Sequence, residues 1–252
     1  MLKSRYLRSA LLAPLAALAL ASCGGNGQEK GELKGEAAAA VKAPEGKQWT
    51  DVVTPTKDGG YLVGNPNAPV KLIEFASLTC HVCAQFVADA GEELDANYIN
   101  TGKVSFEVRN FVRDELDLSA ARIARCGAPE AVYPLNKQFM GFQETMFANM
   151  KTVENDAAVN ASISALKGGD RAFAIAEIAG IIDFFAQRGI SRDQAKACLA
   201  DTKEMEKLAE LTSEYGKNYE ISGTPTFYLN GNKIDVTAWQ PVKGKLQEAG
   251  AR

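Results

Sequence analysis

The chain has one histidine, His81, in 252 residues. That scarcity excludes any metal centre built on several imidazoles, and it excludes a histidine relay. The chain also lacks a basic block or a basic–aromatic stripe. Its net charge is −3, and the first 22 residues carry Lys3, Arg5 and Arg8 without an acid, which leaves −6 for the rest. Nucleic acid is therefore not an expected partner. No internal repeat is visible, so a solenoid or propeller is excluded. Apart from the N-terminus there is no long apolar run, and the one there, Ala10 to Leu20, is too short to span a bilayer as a mature helix. Cysteine is sparse, at five residues, which is far from a disulfide-dense miniature scaffold.

What remains is ordinary for a globular protein, with 46% apolar and 23% charged residues. A chain of this length forms one large domain or two small ones with a sizeable core. Residues 1–22 read as an export signal: a charged start, an apolar middle, and then Leu20-Ala21-Ser22-Cys23. That tetrapeptide resembles the bacterial lipobox, which implies lipidation of Cys23 and stable anchoring by several acyl chains. Gly24 follows the cysteine. Residues 23–59 are expected to form a flexible tether: up to about 47 they are rich in Gly, Ala, Lys and Glu, with no apolar period. Trp49 to Val53 is expected as a short first strand, and Gly59-Gly60 and Gly64-Asn65-Pro66 mark turns.

The main domain is expected from residue 60. Val70 to Phe75 is apolar except for Lys71 and Glu74, as in a strand covered on both faces. A helix from about Cys80 to Asn100 follows, then an alternating strand from Lys103 to Val108. Strand–helix–strand predicts parallel pairing of the two strands. Residues 116–219 read as helices only. Val132, Leu135, Phe139, Phe142 and Met146 recur at helical steps, as do Ile175, Ile178, Ile182 and Phe185, with Gly189 as a stop. Ser191-x-x-Gln194 predicts a capping box, and Gly216 predicts the end of the stripe Met205, Leu208, Leu211, Tyr215. Strand character returns at Thr226 to Leu229. Asn230-Gly231 signals a hairpin into Lys233 to Val236, and a helix from about Ala238 to Ala249 closes the chain.

The chemistry is concentrated at Cys80-His81-Val82-Cys83. A Cys-x-x-Cys pair between a strand and a helix is the layout of a thiol–disulfide redox centre. Residues i and i+3 share a helix face, so the two sulfurs can meet at the first turn. A helix N-terminus favours thiolate, so Cys80 is the expected acidic nucleophile and Cys83 the resolving thiol. His81 is expected to favour the Cys80 thiolate further. The rival readings are a structural disulfide and half a zinc site, which would have to recruit Cys126 and Cys198 or carboxylates. With Cys23 used by lipid, four cysteines remain, an even number suited to an oxidising compartment.

The segment from Glu74 to Phe86 resembles the active-site segment of DsbA-like thiol oxidoreductases. Gly223-Thr224-Pro225-Thr226-Phe227 resembles their cis-proline loop, and the helical insert between the two also matches. The resemblance covers about residues 60–250. It implies an α/β thioredoxin fold, with residues 60–115 and 220–252 forming the two parts around an inserted helical subdomain, 116–219. It implies Cys80 as the exposed catalytic cysteine and Cys83 as its buried partner. It also implies a cis Pro225 beside them, backbone groups of Thr224 offered to an extended peptide, and Glu74 as a buried acid passing protons to Cys83. Some relatives similar to this chain carry a second disulfide in the helical region, which implies a structural Cys126–Cys198 bridge. The family's commoner dipeptide is Pro-His. The order here, His81-Val82, implies a less acidic Cys80 and a less oxidising centre.

The activity so implied is disulfide formation in reduced, exported proteins, on the periplasmic side of a bacterial envelope, with the anchor in the inner or outer membrane. A DsbB-like membrane quinone oxidoreductase is the implied reoxidant, and no bound organic cofactor or metal is implied. Two alternatives stand beside it. One is a reductase or isomerase of the same fold. The other is a non-catalytic lipoprotein that uses the fold to bind a partner or a copper or zinc ion.

Overall fold

The computed structural model describes residues 31–252; the expected export signal, residues 1–22, and the expected lipidation site, Cys23, lie outside them. Six strands form one sheet: β1 (Val53–Pro55), β2 (Tyr61–Gly64), β3 (Val70–Ala76), β4 (Val104–Asn110), β5 (Thr226–Leu229) and β6 (Asn232–Ile234). Their order is β1-β2-β4-β3-β5-β6. Strands β3 and β4 are parallel, with Val70 opposite Val104 and Ala76 opposite Asn110. This is the expected solution for a strand–helix–strand unit, whose crossover is α1 (His81–Leu94) with a π-helical turn at Asp95–Ile99. The other pairings are antiparallel.

Strand β3 is central and buried except at Lys71. Its alternation divides two cores. Leu72 and Ala76 join the large core with Phe86, Ala90 and Leu94 of α1. Ile73 and Phe75 point the other way and pack with Tyr215 and Ile221. The helical insert runs from α2 (Glu115–Ala124), α3 (Pro129–Met140) and α4 (Gln143–Val153) through α5 (Ala157–Ala165), α6 (Gly168–Ile178), α7 (Ile181–Ala186) and α8 (Arg192–Ala200) to α9 (Thr202–Asn218). The final helix is α10 (Trp239–Glu248). Its Trp239 packs edge-on against Phe86 and Tyr98, and its indole N–H donates to Glu93. Among the described residues no helix is long and apolar enough to cross a membrane.

Several local expectations need correction. The apolar period through Ile175 and Phe185 is two helices, because Gly180 takes a left-handed φ of 77° between them. Gly216 does not end its helix; α9 continues to Asn218. Ser191 caps α8, but Gln194 completes no box: its amide donates to the carbonyl of Cys126 instead. Trp49–Asp51 is a 3-10 turn, and the strand begins only at Val53. Because β1 and β2 are strands of the same sheet, the domain starts before residue 60.

The tether expectation fails over residues 31–48. Although irregular, this segment is laid along the domain by backbone hydrogen bonds from Gly31 to Asn230, Gly35 to Glu248, Ala38 to Gly250 and Val41 to Thr101. Glycine permits the close approach, since a Cβ on Gly35 would stand 2.5 Å from the carbonyl oxygen of Ala249. Periodicity could not reveal such a segment, because its contacts are main-chain ones.

Candidate active site

Strand β3 ends at Ala76, and Ser77 to Cys80 turn the chain into α1 with Cys80 as the helix cap residue. Cys80 and Cys83 are free thiols in this structure, one helical turn apart. Cys83 is fully buried. Cys80 is not the exposed residue expected; it is only 4% accessible. The reason lies 144 residues away, where Thr224-Pro225, joined by a cis peptide, lies against it. The Cys80 thiol donates to the Thr224 carbonyl oxygen at 3.2 Å. Between the two cysteines His81 and Val82 are exposed, Val82 at 48% accessibility.

The two sulfurs are driven in opposite directions. Cys80 is brought down from 9.0 to about 5. The first cause is a hydrogen bond from the Cys83 thiol, followed by the Thr224 hydroxyl and the N–H groups of Cys83 and Val82 at the helix start, working against the cost of burial. The Thr224 hydroxyl is buried and has no other protein partner, so it is free for this role. Cys83 is pushed strongly up by the same Cys80 interaction, by burial and by the nearby Glu74 carboxylate. Glu74 lies in the middle of β3, 2% accessible, and burial followed by the Cys80 charge lifts it from 4.5 to about 8. The thiolate-favouring contacts come from Cys83, Thr224 and the helix N–H groups. His81, expected to share that task, is exposed at the first position of α1 and makes no hydrogen bond to Cys80.

A second layer, missed in the sequence, holds the turn in place. Gln143, at the start of α4 and 3% accessible, donates to the carbonyls of Leu78 (2.8 Å) and Cys80 (3.1 Å). Asp117 of α2, fully buried, accepts from the N–H of Leu78 at 2.8 Å and of Arg113 at 3.0 Å. Burial raises Asp117 from 3.8 to about 7. Asp114 accepts from the Thr79 hydroxyl while capping α2. Only the Asp114 cap, three residues before a helical acid, left a sequence signal. Gln143 and Asp117 resemble any other polar residues in a helical run.

The structure thus brings Glu74, Cys80, Cys83, Thr224 and Pro225 together. Cys126 and Cys198 are elsewhere, joined to each other as a disulfide between the end of α2 and α8, with Cα atoms 6.2 Å apart. They are no second half of a ligand set with Cys80 and Cys83.

A Cys-x-x-Cys pair capping the helix after a central parallel strand, with a cis-proline loop across from it, defines the thioredoxin-fold class of dithiol centres. The chain belongs to the thioredoxin family, whose model matches residues 56–247, in the DsbA-like form with a helical insert. It is 32% identical to a protein-disulfide isomerase from Novosphingobium aromaticivorans of known structure, over 75% of this chain and 96% of that one, with a TM-score of 0.69. Wolbachia pipientis alpha-DsbA1 shares the fold at a TM-score of 0.62 and 21% identity, over 80% of this chain and 96% of that one. Disulfide bond formation protein D of Bacillus subtilis is 24% identical over 79% of this chain and 85% of its own length. A Rickettsia bellii protein named, provisionally, as a protein-disulfide oxidoreductase is 24% identical over 75% of this chain, which spans 63% of that protein's length.

Proposed function

We propose that the protein is a thiol:disulfide oxidoreductase that forms disulfides in exported proteins through the Cys80–Cys83 pair. The observation that carries this is the opposed pair of sulfurs at the start of α1: an acidic Cys80 under the Thr224–Pro225 loop and a high-pKa Cys83 behind it. In the oxidised enzyme a substrate thiolate attacks the Cys80 sulfur. Cys83 leaves as a thiolate and takes a proton from neutral Glu74. A second substrate thiolate then attacks the substrate sulfur of the mixed disulfide, and Cys80 leaves as a thiolate. The substrate has lost two electrons and the enzyme has gained them. Because Cys80 is a stable thiolate at neutral pH, the reduced enzyme is favoured and its disulfide is a good oxidant. That outweighs the weaker oxidising power inferred from the His81-Val82 order.

Substrate main chain pairs with the backbone of Thr224 as an added strand. The catalytic electrons reside on the cysteine pair, and no bound cofactor is invoked. The reoxidant is a DsbB-like membrane quinone oxidoreductase. In this reading residues 1–22 act as an export signal and Cys23 is lipidated, which holds the domain on the periplasmic side of a bacterial envelope. Isomerase action is the second reading, favoured by the name of the 32%-identical relative. Refolding of a scrambled-disulfide substrate by the reduced protein separates the isomerase reading, and the reduction potential of the Cys80–Cys83 pair against glutathione separates a reductase of the same fold. A potential well above that of thioredoxin, about −270 mV, is expected, and one near it would sink the oxidase reading. If Cys80 alkylates no faster than an ordinary thiol at pH 6, catalysis itself is refuted and a binding role remains.

A further inference from the structure

Helix α2 of the insert begins on the active-site turn. The residues between β3 and Cys80 are Ser77, Leu78 and Thr79, and each is tied to one of two acids at the start of α2. The Leu78 N–H donates to Asp117 Oδ1 at 2.8 Å, and the Thr79 hydroxyl donates to Asp114 Oδ2 at 2.9 Å. The Ser77 hydroxyl, fully buried, bonds to Asp117 and takes the Thr79 N–H at 3.2 Å. The other Asp117 oxygen, Oδ2, takes the Arg113 N–H at 3.0 Å.

Both Asp117 oxygens therefore face N–H donors, which suits a carboxylate. Protonation places a hydrogen on one oxygen and weakens that oxygen as an acceptor. No cation is among its hydrogen-bond partners in the described residues. Arg113 offers its main chain while its side chain is exposed, Arg171 of α6 is held by Glu115, Arg122 pairs with Asp201 at the start of α9, and Arg125 is held by Asn110. The titratable groups facing Asp117 are Asp114 on its own helix, of like sign, and Cys80 and Cys83 across the turn. Burial without a counter-ion lifts Asp117 to about 7, so both of its forms are populated at neutral pH.

The same turn carries the sulfurs. The Ser77 carbonyl takes the Cys80 N–H at 3.2 Å, and the Ser77 N–H faces the Cys83 sulfur, where it works against the rise of that thiol. When a thiolate attacks Cys80, Cys83 leaves with a negative charge, and the Ser77 N–H is a donor already aimed at it.

We propose that Asp117 is a positioning residue for the leaving sulfur: as a carboxylate it clamps Ser77 and Leu78 so that the Ser77 N–H stays on Cys83, and as a neutral acid it loosens that clamp. This role rests on the redox reading of the Cys80–Cys83 pair. It gives the insert a pH-dependent hold on the rate of exchange. Asp117 acts through Ser77 and takes no part in proton transfer to the sulfurs.

The test is stopped-flow reduction of the oxidised protein by dithiothreitol between pH 5.5 and 9.5, read as the ratio of wild-type to D117N rate at each pH. Ionisation of dithiothreitol and of groups common to both proteins cancels in that ratio. Asp117→Asn keeps the shape of the neutral acid and cannot become a carboxylate. The ratio is expected to be near 1 at pH 5.5 and to rise through pH about 7. At pH 8.5 it is expected to reach at least about threefold, small against the roughly 10²- to 10³-fold of a donor that meets developing charge directly. A ratio above 1 that is equal at every pH marks a packing defect and overturns the role, as does a ratio of 1 throughout. A ratio below 1 at pH 8.5 shows a carboxylate that acts only by repelling the leaving thiolate, and overturns it too. Should D117N not fold, Ser77→Ala carries the test. Loss of one donor raises Asp117 further, so the S77A deficit is expected to peak near pH 8 and to shrink at pH 5.5 and 9.5; a deficit equal at all three overturns the role. A wild type in which dithiothreitol leaves the thiol count of Cys80 and Cys83 unchanged sinks the redox reading itself, whereas a reducible protein with a flat ratio leaves that reading standing.

Discussion

At the scale of single residues the site is a set of displaced protons. Cys80, lowered to about 5, is a thiolate at pH 7, while Cys83 behind it stays protonated. Alkylation of Cys80 by iodoacetamide is therefore expected to titrate with a midpoint near pH 5. Cys83→Ala removes the hydrogen bond from the resolving thiol, the main cause of the lowering, and is expected to raise that midpoint most. Thr224→Val removes the hydroxyl and is expected to raise it less, and His81→Ala least. An H81A shift larger than that of T224V would contradict the contacts described. Glu74 gives a stability signature. Its pKa is raised from 4.5 to about 8, so the folded state holds a proton that the unfolded chain releases. Its contribution is fully present below pH about 4.5 and is lost as pH rises through about 8. Asp117, raised from 3.8 to about 7, acts in the same sense over a slightly lower range. Cys80, lowered from 9.0 to about 5, acts in the opposite sense over the same range. The Glu74 signature is therefore read as a difference: between pH 5 and pH 8 the reduced wild type is expected to lose stability relative to Glu74→Gln in urea denaturation.

At the scale of elements, the redox helix is set by its neighbours. Helix α1 has no side-chain cap at its start; the Cys80 carbonyl accepts from Ala84 and also from Gln143. The turn from β3 into α1 is thus pinned by α4 through Gln143 and by α2 through Asp117. Gln143→Leu leaves the Leu78 carbonyl without this donor, while the Cys80 carbonyl keeps the Ala84 N–H. The expected result is a loss of about 1–3 kcal/mol in urea denaturation, with a slower and less pH-sharp alkylation of Cys80. A Q143L variant of wild-type stability would mean that the insert does not position the centre. Sequence patterning found β3, α1 and the β5–β6 hairpin because each writes its own period or turn. Asn230 and Gly231 take positive φ values of 48° and 77°, the conformation an Asn-Gly hairpin requires. It misread α6 and α7 as one helix, since apolar spacing survives a two-residue break at Ala179 and Gly180.

At the scale of the whole molecule, a helical insert and a thioredoxin core are fastened at several points. The Cys126–Cys198 bridge closes 72 residues within the insert. Replacing both cysteines by alanine is expected to cost about 4 kcal/mol on the chain-entropy account, and to leave dithiothreitol reduction of Cys80–Cys83 within about twofold, because the bridge lies outside the centre. Loss of redox activity along with stability would show instead that the insert holds the centre only when crosslinked. The segment 31–48 ties the N-terminal side to the hairpin and to the end of α10.

The sequence by itself determined the order of elements, the Cys80–Cys83 pair and its helix, the hairpin and the helical insert, because local period, turn chemistry and spacing are short-range properties. It marked Glu74 as an acid in an apolar strand, and its resemblance to a family pointed to Thr224–Pro225. Only the tertiary structure decided that Cys80 is covered and that His81 stands clear of it. It alone drew Gln143 and Asp117 to the active-site turn. Each of these depends on the desolvation and hydrogen bonding of groups from distant parts of the chain, and no local pattern encodes which distant groups will meet.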